Sequence, residues 1–116
     1  MSDGAGCIFC AIAAGEVPAE VVASDERFVA FSDRRPVAPT HLLVVPRAHV
    51  GSLDELEGLP EQTRGEMLSF IVEVARRAGL VESGYRVVAN TGPDARQEVM
   101  HLHWHVIGGR RLGGIA

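Results

Sequence analysis

The order of apolar and polar positions divides the chain into short elements separated by glycine, proline and charged residues. In CIFCAIAAGEVP, residues 7–18, apolar residues recur at the spacing of a short helix, which Gly15 is expected to close. The segment EVVASDERFVAFSD, residues 20–33, predicts two strands joined by a polar turn from Ser24 to Arg27. THLLVVP, residues 40–46, predicts a third strand.

A long helix is predicted between Pro60 and Gly79, because apolar residues recur there at helical spacing. These are Met67, Ile71, Val74, Ala75 and Ala78. YRVVANTG, residues 85–92, and HLHWHVIGG, residues 101–109, predict the fourth and fifth strands. Strands on both sides of a long helix, joined partly by hairpins, predict an α+β fold with a mainly antiparallel sheet.

Length and charge narrow the range of functions. A chain of 116 residues with 47% hydrophobic composition has the size of one domain, here residues 1–116. Its net charge is −4 and its basic residues form no obvious face, so nucleic acid is not expected as the main partner. No run approaches the roughly 20 apolar residues that span a bilayer. We therefore expect no membrane partner and a cytoplasmic location.

Cys7 and Cys10 form a C-x-x-C motif. In a reducing compartment this spacing indicates a metal site or a redox pair more than a structural disulfide. A thioredoxin-like role is disfavoured, because no βαβ pattern follows the motif. Two ordinary buried cysteines are the remaining alternative.

Three histidines alternate with apolar residues in the predicted fifth strand: His101, His103 and His105. In a strand they share one face, and the apolar residues between them take the other. Neighbouring histidines lie roughly 6.6 Å apart and can share a metal, whereas the outer two lie roughly 13 Å apart. One metal centre formed by all three is thus disfavoured. A packing role is also poor, because buried imidazoles need hydrogen bonds, which leaves a solvated face or a site.

The chain resembles the histidine triad superfamily, and most of all its branch of histidine triad nucleotide-binding proteins. His101 to Ile107 match the signature His-x-His-x-His followed by apolar residues. The resemblance extends over nearly the whole chain, through IFCAIAAGEVPAEVV, FSDRRPVAPTHLLVVPRAHV and GYRVVANTG. It implies a five-stranded antiparallel sheet with two helices per subunit. It also implies a homodimer that pairs through the long helix and an adjoining strand.

The resemblance makes His103 a nucleophile that attacks the α-phosphorus of a nucleotide conjugate and forms a nucleotidyl-imidazole, which water hydrolyses. A neutral imidazole suits this step at pH 7. The carbonyl of His101 would orient His103, and His105 would stabilise phosphate charge. The implied substrates are purine nucleoside 5′-phosphoramidates, in which AMP or GMP is joined to an amine.

The same resemblance assigns binding roles to six residues: Asn90 and Gln97 to phosphate, Asp33 to the ribose, and Phe9, Ile12 and Val17 to the purine base. From the residues alone, the first three are more often turn residues, and the last three are more often part of the core. Where animal members of the family have a serine after the glutamine, this chain has Glu98. Its carboxyl would donate a proton only if it stayed protonated.

Some bacterial-type members of the family bind zinc, and the resemblance extends those ligands to Cys7, Cys10, His49 and His101. Four protein ligands would make the zinc structural. The fifth histidine, His41, is expected to support the triad face. Two other functions remain open. One is hydrolysis of dinucleoside polyphosphates on the same fold, and the other is a zinc-stabilised nucleotide-binding module with little turnover.

Overall fold

The structure is a computed structural model that describes residues 6–115. Its elements, in chain order, are α1 (Ile8–Ala13), β1 (Val21–Ser24), β2 (Phe28–Ser32), β3 (Thr40–Pro46), a 3-10 helix (Leu53–Gly58), α2 (Glu61–Arg77), β4 (Tyr85–Val88) and β5 (Trp104–Gly108). The strands form one antiparallel sheet in the order β1-β2-β3-β5-β4. The predicted α+β class and antiparallel sheet are confirmed, and the 3-10 helix adds to the two expected helices. Within residues 6–115 no helix has the length and apolar character needed to cross a membrane.

Glycines end both α-helices, as the sequence predicts. Gly15 and Gly79 have φ angles of 77° and 74°, in the left-handed region that glycine adopts without a steric cost. After α2, the N–H of Gly79 donates to the carbonyl of Arg76, and that of Leu80 donates to the carbonyl of Ala75. These bonds satisfy carbonyl groups that the end of a helix leaves unpaired.

Hydrophobic clusters cover both faces of the sheet. Residues of α2 pack on one face, against Ala30, Leu42, Val44 and Val106. Phe9 and Ile12 of α1 belong to the cluster on the other face, which is completed by Val29, Phe31, Leu43 and Val45. The central strands β2 and β3 are therefore buried on both sides. This explains why their sequences are continuous apolar runs.

The fifth strand begins at Trp104, three residues later than predicted. Its register pairs Val44 with Trp104, so a continued ladder would place Val45 opposite His103 and Pro46 opposite Leu102. Pro46 has no N–H to donate, and the Leu102 N–H donates instead to the carbonyl of Val50 at 2.7 Å. The backbone of residues 101–103 is thus released from the sheet. The predicted alternation of side chains nevertheless holds, since Leu102 and Val106 are buried in the clusters on the α2 side.

Candidate active site

His103 is held in one orientation by the backbone two residues before it. Its Nδ1 lies 2.7 Å from the carbonyl oxygen of His101. Because a carbonyl oxygen only accepts, Nδ1 carries the proton and donates it, which leaves the lone pair on Nε2. The ring is 7% exposed and lines a cavity, and its centroid lies 5.0 Å from that of Phe9 in an edge-to-face contact. His103 is thus a buried imidazole with a free, fixed nitrogen lone pair.

A chain of hydrogen bonds fixes the proton of His105. The backbone N–H of Val37 donates to His41 Nδ1 at 3.1 Å, so the proton of His41 lies on Nε2. That Nε2 is 2.8 Å from His105 Nδ1 and 3.3 Å from Asp33 Oδ2. His105 Nδ1 accepts this proton, and its own proton therefore lies on Nε2. The supporting role expected of His41 thus acquires a physical basis: it sets which nitrogen of His105 donates.

Burial keeps the rings of His41 and His105 neutral at pH 7. It lowers the pKa of His105 to about 4, helped by the neighbouring His103 and His41, while the Asp33 carboxylate opposes the change. Burial likewise lowers the pKa of His41, against the opposing effect of Asp33. His105 therefore interacts with a ligand as a neutral N–H donor and not as a cation.

The cavity has a volume of about 470 Å³ and an apolar end. Its apolar lining residues pack in one cluster, apart from Ile8: Ile8, Phe9, Ile12, Phe31, Leu43 and Val99. Its charged lining residues are Glu20, Asp33, Arg34, Arg96 and Glu98. The other polar lining residues are Ser32, Asn90, His103 and His105, and Ala19 completes the lining. An apolar end with a few convergent polar groups is typical of a site for a small organic ligand.

Six of the nine residues expected at the catalytic and substrate site line this cavity: Phe9, Ile12, Asp33, Asn90, His103 and His105. His101 is fully buried behind it and contributes its carbonyl. Val17 packs against the cluster that contains Phe9 and Ile12 but is not among the lining residues.

Gln97 holds a loop together in this structure. Its Nε2 donates to the carbonyls of Gly51 and Val99, at 2.8 and 2.9 Å, and its Oε1 accepts from the N–H of Gly92 at 3.0 Å. Both amide hydrogens are used, and Gln97 does not line the cavity. This geometry gives Gln97 a positioning role for residues 92–99, and the phosphate contact expected from the sequence stays a prediction.

Phe31 and Leu43 line the cavity although the sequence did not single them out. The register pairs Phe31 with Leu43, and Leu43 with His105. Residues directly opposite in a sheet project to the same face, so these two side chains extend the face on which His105 lies. The alternation of side chains along each strand was the available signal. It identifies Phe31 and Leu43 only once the pairing of the strands is known.

Cys7, Cys10, His49 and His101 form a cluster whose possible ligand atoms all lie within 4.8 Å of one another. The two sulfur atoms lie 3.3 and 3.4 Å from His101 Nδ1. His101 Nε2 lies 2.8 Å from the carbonyl oxygen of Pro46 and donates to it, so Nδ1 offers a lone pair to the cluster. Among the residues that the structure describes, the buried Nδ1 of His49 has no hydrogen-bond partner. These features fit a metal ion, which satisfies such donors together.

The Cys10 thiol needs a nearby cation to ionise at pH 7. Burial and the neighbouring Cys7 raise the pKa of Cys10 to about 11, so at pH 7 it is a neutral thiol. A coordinated metal deprotonates a cysteine ligand outright. Asp33, His41 and His105 also lie close enough to share an ion, but the atoms that face one another there already surround the proton on His41 Nε2.

A second cavity of about 530 Å³ lies beside the C-terminal end of α2, where it is lined by Val74, Arg77 and Ala78. It shares Glu20, Ser32 and Asp33 with the first cavity, and it is lined by His41 but by neither His103 nor His105. Because both ring nitrogens of His41 are already engaged, this cavity offers no free imidazole nucleophile.

Comparisons with known proteins agree with these features. The family model described as the HIT domain matches residues 14–112. The chain is 38% identical over 106 residues to the purine nucleoside phosphoramidase of Escherichia coli, covering 91% of this chain and 89% of that protein. It superposes on a HIT family hydrolase from Legionella pneumophila with a TM-score of 0.85 and 40% identity, over 92% of this chain and 96% of the other. A Zn-bound histidine triad family protein from Mycobacterium smegmatis gives a TM-score of 0.80 at 35% identity, over 92% and 77% of the two chains.

Proposed function

Because the chain belongs to the HIT domain family, we propose that it hydrolyses purine nucleoside 5′-phosphoramidates to a nucleoside monophosphate and an amine. The observation that carries this proposal is the fixed lone pair on Nε2 of His103, in a cavity that also contains the N–H donor of His105. The E. coli relative named purine nucleoside phosphoramidase supports the choice of substrate.

The reaction proceeds in two displacements at phosphorus. In the first, Nε2 of His103 forms a bond to phosphorus and the P–N bond breaks, so the amine leaves with the electron pair and takes a proton from solvent. In the second, water attacks phosphorus, the bond to His103 breaks and one proton is released. One water molecule is consumed in total. Division of a difficult displacement into two steps is ordinary covalent catalysis.

The side chains around His103 complement a phosphoryl group. Neutral N–H donors suit the negative charge that spreads over the phosphoryl oxygens during transfer. His105 Nε2 supplies one such donor, and the side-chain amide of Asn90 supplies another from the same cavity. The bond from His103 Nδ1 to the carbonyl of His101 stabilises the positive charge that develops on the ring as Nε2 attacks.

The remaining lining accommodates a nucleoside. Phe9, Ile12, Phe31 and Leu43 form an apolar wall for the base. Asp33 Oδ1 already accepts from the N–H of Arg35 at 2.8 Å, which holds the carboxylate beside the cavity. A carboxylate accepts from two neighbouring hydroxyl groups, which makes Asp33 the group for the ribose.

The charges of the cavity favour a phosphoramidate over a dinucleoside polyphosphate. Three carboxylates line it, from Glu20, Asp33 and Glu98, against two guanidinium groups, from Arg34 and Arg96. A polyphosphate leaving group carries several negative charges, which those carboxylates repel. An amine leaving group avoids this repulsion.

We therefore expect kcat/KM for an adenosine 5′-phosphoramidate to exceed that for diadenosine tetraphosphate by at least about tenfold, since like charges brought together cost several kcal/mol. The measurement is initial-rate hydrolysis of both substrates, with AMP quantified by chromatography. Faster cleavage of the tetraphosphate would identify the protein as a dinucleoside polyphosphate hydrolase.

We propose that the metal held by Cys7, Cys10, His49 and His101 is zinc. Sulfur and imidazole donors together are the ligands that zinc prefers, and the Zn-bound relative from M. smegmatis supports this choice. The bound ion would hold α1, which carries Phe9, against the backbone that orients His103. A site of this kind needs Cys7 and Cys10 as free thiols, which persist in a reducing compartment, and we therefore propose a cytoplasmic location.

We propose a homodimer that forms through α2 and β4. The strand β4 is an edge of the sheet. Val87 pairs with Val106, which faces α2, so Tyr85 and Val87 project to the α2 side although each is 36% exposed. On α2 itself, Leu68 and Val72 are 55% and 38% exposed. An exposed apolar surface beside an open strand edge is suited to a second copy of the chain.

Val72→Glu is expected to weaken this dimer by about a hundredfold or more, because a buried unpaired carboxylate costs about 3 kcal/mol or more. Sedimentation velocity over a range of concentrations measures the change. Val21→Glu, on the opposite edge of the sheet and 49% exposed, is the matched control and should leave the dimer intact. Equal behaviour of the two variants would rule out this surface.

A further inference from the structure

Arg96 has an unusual backbone conformation at the wall of the active-site cavity. Its φ angle is 62°, and among residues 6–115 it is the only residue other than glycine with a positive φ. Residues other than Gly, Asn and Asp are uncommon at positive φ. Such strain tends to persist where a residue is held for a function. Arg96 lines the cavity and is exposed at the same time.

The loop around Arg96 is firmly anchored. The N–H of Arg96 donates to the carbonyl of Pro93 at 2.9 Å, and the N–H of Gln97 donates to the carbonyl of Gly92 at 3.1 Å. The side chain of Gln97 adds three bonds that tie the same loop to Gly51, Gly92 and Val99. The guanidinium of Arg96 is therefore presented from a fixed backbone.

The charges on this loop are available to a ligand. Arg96 and Glu98 both line the cavity, and within the part of the chain that the structure describes neither side chain makes an ion pair or a hydrogen bond. The nucleoside is expected at the apolar wall formed by α1, β2 and β3. In phosphoryl transfer the group that leaves departs roughly in line with the group that attacks. The amine thus leaves from the side of phosphorus opposite His103, within the cavity that the exposed Arg96 and Glu98 also line.

We propose that Arg96 selects leaving amines that carry a free carboxylate, so that nucleotide conjugates of amino acids are preferred over conjugates of uncharged amines. The guanidinium of Arg96 would bind the carboxylate through paired N–H donors. Glu98, two residues along, repels further negative charge and so restricts the preference to leaving groups with a single anionic group. This inference rests on the proposed phosphoramidate hydrolysis.

The test compares two adenosine 5′-phosphoramidates whose leaving amines are glycine and glycinamide. They have nearly the same shape and differ in one negative charge. After subtraction of uncatalysed hydrolysis, the wild type should favour the glycine conjugate in kcat/KM by about fivefold, the size expected of one exposed ion pair. Arg96→Gln should bring this ratio close to one, and Arg96→Lys should retain part of it. Glu98→Gln should raise the ratio.

Two further variants separate charge from loop structure. Arg96→Gly removes the guanidinium and relieves the backbone strain, so it should lose the preference while its melting temperature is unchanged or higher. Arg111→Gln removes an exposed guanidinium that does not line the cavity and should keep the wild-type ratio.

A wild-type ratio near one, or a ratio that Arg96→Gln leaves unchanged, would overturn the role of Arg96 while hydrolysis of both conjugates still supported the proposed function. Failure of the wild type to cleave either conjugate would instead overturn the proposed function, and with it this inference.

Discussion

Replacement of His103 by alanine is expected to reduce kcat/KM for an adenosine 5′-phosphoramidate by about 10³-fold or more, the scale seen when a nucleophile is removed from an enzyme. No neighbouring side chain can replace it. The His105 ring offers an N–H where His103 offers a lone pair, and both nitrogens of His41 are engaged. Steady-state hydrolysis of a fluorogenic phosphoramidate, in which release of the amine raises the fluorescence, measures the loss.

AMP binding by the same variant is the necessary control. The apolar wall for the base and the Asp33 carboxylate do not depend on His103. AMP should therefore still bind to His103→Ala in calorimetric titration. His103→Asn, which fills more of the space beside Phe9, guards against a packing effect. Slow, equal turnover by the wild type and both variants, with intact AMP binding, would identify the protein as a nucleotide-binding module.

Removal of the proposed zinc ion is the second change with a large expected effect, in this case on stability. Zinc at a hundredfold excess over its dissociation constant stabilises a folded chain by about 2.7 kcal/mol. For a chain of this size, that corresponds to a fall of about 10 °C in melting temperature when the ion is removed. Calorimetry before and after chelation measures the change, and elemental analysis should find one zinc ion per chain.

The double variant Cys7→Ser/Cys10→Ser provides the matched control. Its sulfur ligands are absent, so it should bind no zinc and its melting temperature should not respond to the chelator. A wild type that contains zinc but melts at the same temperature with and without chelator would contradict a structural role. Retention of a full equivalent of zinc by the double variant would place the ion elsewhere.

The sequence predicts the elements well because local patterns determine them. Gly15 and Gly79 end helices through a left-handed backbone that glycine readily adopts. The continuous apolar runs of β2 and β3 follow from burial on both faces of the sheet. The alternation of the three histidines with apolar residues also holds, because side-chain parity depends only on an extended backbone.

The sequence predicts the tertiary hydrogen bonds poorly. The late start of β5 follows from Pro46, which a continued ladder would place opposite Leu102 but which has no N–H to donate. By its position in the family motif, Gln97 is expected to contact phosphate. In the folded chain its side chain bonds three backbone groups, one of which belongs to Gly51, distant in sequence. The strained conformation of Arg96 had no local signal at all. For Pro46 and Gln97, the residue that decides the local structure comes close only when the chain folds.

The central claim is that His103 attacks phosphorus, and rapid-quench mass spectrometry tests it most directly. Wild-type protein is mixed with an excess of adenosine 5′-phosphoramidate, quenched under conditions that preserve P–N bonds, and digested. An adenylyl group should be found on His103, and it should form and decay at rates fast enough to account for turnover. Rapid release of AMP without any adduct on His103 would contradict the account, because water would then have attacked the substrate directly.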